Sequence, residues 1–86
     1  MEKIHPLYYH TLGKVITARR KKIGLTQAQM AEAADISTVY YREVEQGVRN
    51  PNYSLLILLG KIFKTKYSSI QREIEEEIKN LYGDKY

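Results

Sequence analysis

The sequence predicts an all-α domain of five helices, and three observations carry that expectation. Stretches with apolar residues at helical spacing are separated by short breaks, at Gly24, at Asp35 and Ile36, at Gly47, and at Pro51 and Asn52. The chain has 86 residues and no cysteine, so its small core must form without disulfides or thiolate-bound metal, which a helical bundle manages. No internal repeat, low-complexity tract or long linker interrupts it, so residues 1–86 are read as one domain.

Pro6 suits the first turn of the first helix. Leu12, Val15, Ile16 and Ile23 then give a partly amphipathic run to about Lys22, and Gly24 ends it. Thr26 and Gln29 form a T-x-x-Q capping box for a short second helix with Met30, Ala31 and Ala34 on its inner face. Its small alanines allow close helix crossing. Ser37 is the N-cap of a third helix that Gly47 terminates by adopting positive φ. Asn52 or Ser54 caps a fourth, on which Leu55, Leu58 and Ile62 form an apolar stripe at helical spacing. Residues 67–82 form an amphipathic fifth helix carrying Tyr67, Ile70, Ile74, Ile78 and Leu81, capped by Ser68 or Ser69. Gly83 to Tyr86 should fray.

Thr26-Gln27, Met30-Ala31, Ile36-Ser37, Tyr40 and Val44-Glu45-Gln46-Gly47 together resemble the phage repressor (Cro/cI-like) helix-turn-helix family, over a core of about residues 11–64. The resemblance implies a five-helix lambda-repressor-like domain that lays the helix of residues 37–46 in the major groove of double-stranded DNA. It implies base-reading roles for Thr38, Val39, Arg42 and Glu43. Arg42 is the candidate for a bidentate contact to guanine, and Val39 or Thr38 for a thymine methyl. Glu43 accepts from a cytosine amino group or orients Arg42, and Tyr40 lies near the groove wall. Backbone phosphates fall to Gln27, Tyr40, Val48, Arg49 and Asn52, with N–H groups around Gly47 and with Lys14 as a further candidate. The alternative for Gln27 is helix capping alone. The family pattern also pairs Arg20 with Glu45 as a structural ion pair, leaving Arg19, Lys21 and Lys22 as solvated charges. Tyr41 faces inward, where its hydroxyl needs a partner.

Charge supports a polyanion partner only through its distribution. Formal net charge is +4, yet residues 26–47 carry one basic and four acidic side chains, while residues 48–66 carry four basic and none acidic. Phosphate attraction must therefore come from the flanks. No acid–base pair or nucleophile with an orienting base is visible, His5 and His10 have no ligand-spaced partner, and neither a metal, a cofactor nor a small-molecule ligand is expected. The N-terminus lacks a signal-peptide apolar region and no run is long enough to span a bilayer, so a cytoplasmic protein is expected.

The resulting expectation is a non-enzymatic, sequence-specific DNA-binding transcriptional regulator. It is expected to be a homodimeric repressor or autoregulator, resembling single-domain phage repressors and restriction–modification controller proteins, on a palindromic operator. Leu55, Leu58, Ile62, Ile70, Ile74 and Ile78 supply the expected dimer interface. The alternatives are an antitoxin, or a protein–protein interaction module using the apolar face of the last two helices.

Overall fold

The computed structural model describes residues 7–83, which form α1 (Tyr8–Ile23), α2 (Gln27–Ala33), α3 (Thr38–Gln46), α4 (Tyr53–Ile62) and α5 (Tyr67–Tyr82). Helix α1 packs on α3 and α5, α2 on α3, and α4 on α5, so α1 and α3 run through the middle of the bundle. Pro6 and His5 lie outside the described residues, as do residues 84–86, and α1 starts at Tyr8 without a side-chain cap.

Side-chain caps start three of the helices. Thr26 and Gln29 make both bonds of the capping box on α2, Ser37 Oγ accepts from Tyr40 N at 3.0 Å, and Asn52 Oδ1 accepts from Leu55 N at 2.8 Å. Each such cap is worth about 1 kcal/mol. Helix α5 departs from expectation: it begins at Tyr67 behind Lys66, and neither Ser68 nor Ser69 caps it.

Helix ends are equally uniform. After α1, α2, α3 and α4 the chain turns through a left-handed residue, Gly24 (φ 79), Asp35 (φ 56), Gly47 (φ 79) and Lys64 (φ 58). Each is followed by an N–H that reaches back to a carbonyl of the last turn, as Val48 N does to Glu43 O at 3.1 Å and Ile36 N to Ala31 O at 3.0 Å.

One apolar cluster fills the bundle, with Leu12, Ile16, Met30, Tyr41, Val44, Leu59, Ile70 and Ile74 almost wholly buried. Thr11, a polar residue buried within this core, bonds Leu7 O at 2.8 Å. Close approach matters most at Gly13. A Cβ there would fall on Glu45 O, nearer than heavy atoms can lie, and 2.8 Å from Glu45 C, so only glycine lets α1 touch the last turn of α3.

Two expectations for the core change. Ile23 is 44% exposed, because Arg20, which bonds Leu25 O at 2.9 Å, closes that end of α1 instead. Leu55, Ile70, Ile74 and Ile78, expected at a dimer interface, are buried inside the chain, and only Leu58 and Ile62 of that set are half-exposed. Helix α5 is also fastened to α1 by polar bonds. Tyr8 Oη meets Tyr67 Oη at 2.8 Å and also Gln71 Oε1, and Arg19 Nε donates to Glu73 Oε2 at 2.8 Å. Arg19 is thus paired rather than solvated.

Candidate nucleic acid interface

Helix α3 has a locked inner face and a bare outer one. Tyr41 and Val44 point into the core at 0% and 1% exposure, while Val39 is 62% exposed and Arg42 and Gln46 are exposed. Thr38, Tyr40 and Glu43 are half-buried along its edges. Of the four outward positions expected from the sequence, Val39 and Arg42 are exposed, and Thr38 and Glu43 lie half-buried at the edges of that face. Gln46 joins them, four residues after Arg42 and three after Glu43, and helical spacing alone held that signal.

The inner face is fixed through Glu45, whose side chain is only 4% exposed. Its carboxylate accepts from Arg20 Nε at 2.7 Å and Nη2 at 3.3 Å, from Tyr41 Oη at 2.5 Å, and from Gln27 Nε2 at 2.9 Å. These four bonds match the acceptor capacity of a carboxylate, so the buried charge is fully satisfied. Burial pushes its pKa up, but the bonds from Arg20, Tyr41 and Gln27 outweigh burial and hold it below the ordinary glutamate value. Burial, reinforced by the bond to Glu45, pushes the Tyr41 phenol far up, so it stays a hydrogen-bond donor. The bond to Glu45 likewise raises Arg20. The expected ion pair is thus present, and the same carboxylate is the partner that the Tyr41 hydroxyl needed.

Gln27 caps nothing. It is the first residue of α2, and its amide spans from Glu45 to Arg42, whose Nε donates to Gln27 Oε1 at 3.5 Å. Glu43 does not orient Arg42, because it takes Arg49 Nη2 at 3.0 Å and Nε at 3.3 Å. The Arg49 guanidinium also lies 5.5 Å from the centroid of the Tyr40 ring. Glu43, Arg49 and Tyr40 therefore form one exposed cluster beside the C-terminal turn of α3. The N–H groups of Gly47 and Val48, expected as phosphate donors, are spent on Val44 O and Glu43 O at 3.1 Å each. The Val48 side chain is left 71% exposed. Asn52 uses its oxygen as a cap, which leaves its amide nitrogen outward, and Lys14 is exposed on α1. Among the described residues no group of three His, Cys, Asp or Glu side chains could hold a metal ion, and no helix is long and apolar enough to cross a membrane.

Comparison with known proteins bears on the fold and the family. The immunity repressor protein of Bacillus phage phi105 is 37% identical over 70 residues, which are 78% of this chain and 49% of that protein, so the chain spans about half of that relative's length. The clp gene regulator ClgR from C. glutamicum superposes with a TM-score of 0.77 at 24% identity, covering 87% of this chain and 96% of that one. A point mutant of the restriction–modification controller protein C.Esp1396I superposes with a TM-score of 0.77 at 21% identity, covering 94% of this chain and all of that one. These likenesses establish the five-helix fold. The helix-turn-helix family model matches residues 16–70, which take in α2, α3, α4 and the last turns of α1, and the chain belongs to that helix-turn-helix family.

Proposed function

We propose that the protein is a sequence-specific transcriptional regulator that places α3 in the major groove of duplex DNA. One observation carries the reading: α3 is held rigidly from behind by Arg20, Gln27 and Tyr41 through Glu45, while Val39, Arg42 and Gln46 are exposed on its outer side. Arg42 reads a guanine, Val39 or Thr38 meets a thymine methyl, and Glu43 accepts from a cytosine amino group once Arg49 leaves it. Arg49, Asn52, Gln27, Lys14 and the exposed edges of Tyr40 and Val48 meet the DNA backbone and set register. Nothing in this reading is catalytic, and its place of action is the prokaryotic cytoplasm, where the DNA is. The repressor sign follows the phage immunity repressor likeness.

Two copies bind a palindromic operator in this reading. Helix α3 has nine residues, about 13 Å, which spans only about four base pairs, too few for a specific site without a second copy. With Leu55, Ile70, Ile74 and Ile78 interior, pairing rests on Leu58 and Ile62 together with Ile57, which is 37% exposed on α4. Sedimentation should show a dimer that Ile62→Glu converts to a monomer, and a wild-type monomer at high concentration would sink the pairing. The DNA reading is tested by gel shift against duplexes selected from a random pool. Arg42→Ala should cost about 1–3 kcal/mol and relax preference at one base pair. Equal loss on all duplexes would make Arg42 a phosphate contact, and no binding at low salt would overturn the function.

A further inference from the structure

Three of the four basic side chains in residues 48–66 have no role in the DNA reading proposed above. Arg49 stands just past α3, but Lys61, Lys64 and Lys66 gather at the opposite end of α4 from Asn52, with Lys61 about 12 Å of helix beyond Tyr53. All three are exposed, and none has an ion-pair partner among the described residues. Lys61 and Lys66 border an open groove of about 390 Å³ between α4 and the start of α5. Tyr53, Ile57 and Lys61 line it from one face of α4 at four-residue spacing, with Tyr53 66% and Ile57 37% exposed, and Tyr67 adds an aromatic ring from α5.

The shape of this groove is already set in the free protein. Gly60 lets the turn before α5 lie flush on α4, because a Cβ there would come 3.0 Å from Thr65 O and 3.2 Å from Tyr67 N. The Tyr67 ring meets the Tyr53 ring edge-on at 6.0 Å, and its hydroxyl meets Tyr8 Oη at 2.8 Å and donates to Gln71 Oε1 at 3.1 Å. A partner finds little left to order.

We propose that this groove docks a short acidic segment of a partner protein, whose aliphatic or aromatic anchor packs on Tyr53, Ile57 and Tyr67 while its carboxylates meet Lys61 and Lys66, with Lys64 beside them. Charge complementarity selects the sign of the partner: the chain supplies no acid between residues 48 and 66, so the matching charge belongs to another molecule. The apolar stripe selects a peptide over a nucleic acid strand. The lysines sit at one end of that stripe, whereas a strand is held by cations that track its phosphates. The proposal does not depend on which bases α3 reads.

Short peptides selected on the intact protein from a random displayed library test this docking. The enriched peptides should be net acidic and carry an aliphatic or aromatic side chain, and their binding should shift the amide resonances of Tyr53, Ile57 and Tyr67. Lys61→Glu combined with Lys66→Glu should raise the peptide Kd by about 10-fold or more, and Ile57→Ser by about 5-fold, with thermal unfolding confirming that the variants are folded. The lysine variant should keep its gel shift on duplex DNA. If no peptide is enriched, if the enriched peptides are neutral or basic, or if they bind the lysine variant equally well, the proposal is overturned. Three other losses in the lysine variant overturn it too: of duplex binding, which makes the lysines phosphate contacts; of binding to an oligothymidylate, which gives the groove to single-stranded nucleic acid; or of a wild-type dimer, which gives it to a second copy.

Discussion

Glu45 ties three helices with one carboxylate, since Arg20 belongs to α1, Gln27 to α2 and Tyr41 to its own helix α3. Removing it strands an arginine whose side chain is 12% exposed, so Glu45→Gln should cost about 3 kcal/mol at pH 7. The pH dependence has a definite sign. The carboxyl is held below its ordinary value of 4.5, so its stabilisation is complete above that value and is lost as pH falls through the lowered one. Thermal melts of wild type and Glu45→Gln should therefore converge on acidification, and a gap that stays constant down to pH 2 would refute the assignment. At this scale the sequence was partly legible. The Arg20–Glu45 pair came with the family resemblance, and the four-residue spacing of Tyr41 and Glu45 already held the phenol's partner. The bond from Gln27 was not legible, because it depends on where α2 meets the end of α3.

Among the elements, helix starts were easier to read than helix ends. Thr26, Ser37 and Asn52 are short polar residues in the right place, and each caps. Gly24 and Gly47 announce left-handed turns, whereas Asp35 and Lys64 adopt φ 56 and 58 with a Cβ that ordinarily resists them. Aspartate is among the few such residues that visit this region by preference, so the turn at Asp35 was partly legible and the one at Lys64 was not. Gly13 was unread because a glycine inside a helix looks like a weakness until its neighbour is known. Gly13→Ala should cost about 3 kcal/mol, since backbone at Glu45 must move, and Gly24→Ala only about 1 kcal/mol, since nothing lies within 4 Å of its Cβ. Denaturant melts giving equal losses would refute the close contact of α1 and α3.

For the whole molecule, the sequence revealed the isoleucine stripe of α5 but not its destination. Periodicity reports an apolar face and is silent on which body covers it, and here the cover is the chain's own α1 and α4. Ile70, Ile74 and Ile78 each bury a side chain worth about 1.5–3 kcal/mol, against a typical total stability of about 5–15 kcal/mol. A fragment of residues 7–64 should therefore lose most of its helical circular dichroism, and a cooperative melt from it would show that α5 is dispensable. The acidic residues within the otherwise basic protein act at this scale too. Glu43 and Arg49 are exposed enough for their bridge to open within nanoseconds, so it sets no barrier of its own. In the DNA-binding role proposed above, that carboxylate would compete with phosphate for Arg49 at every sequence alike. Each stop along the duplex would then be shorter, and the search for the right one faster.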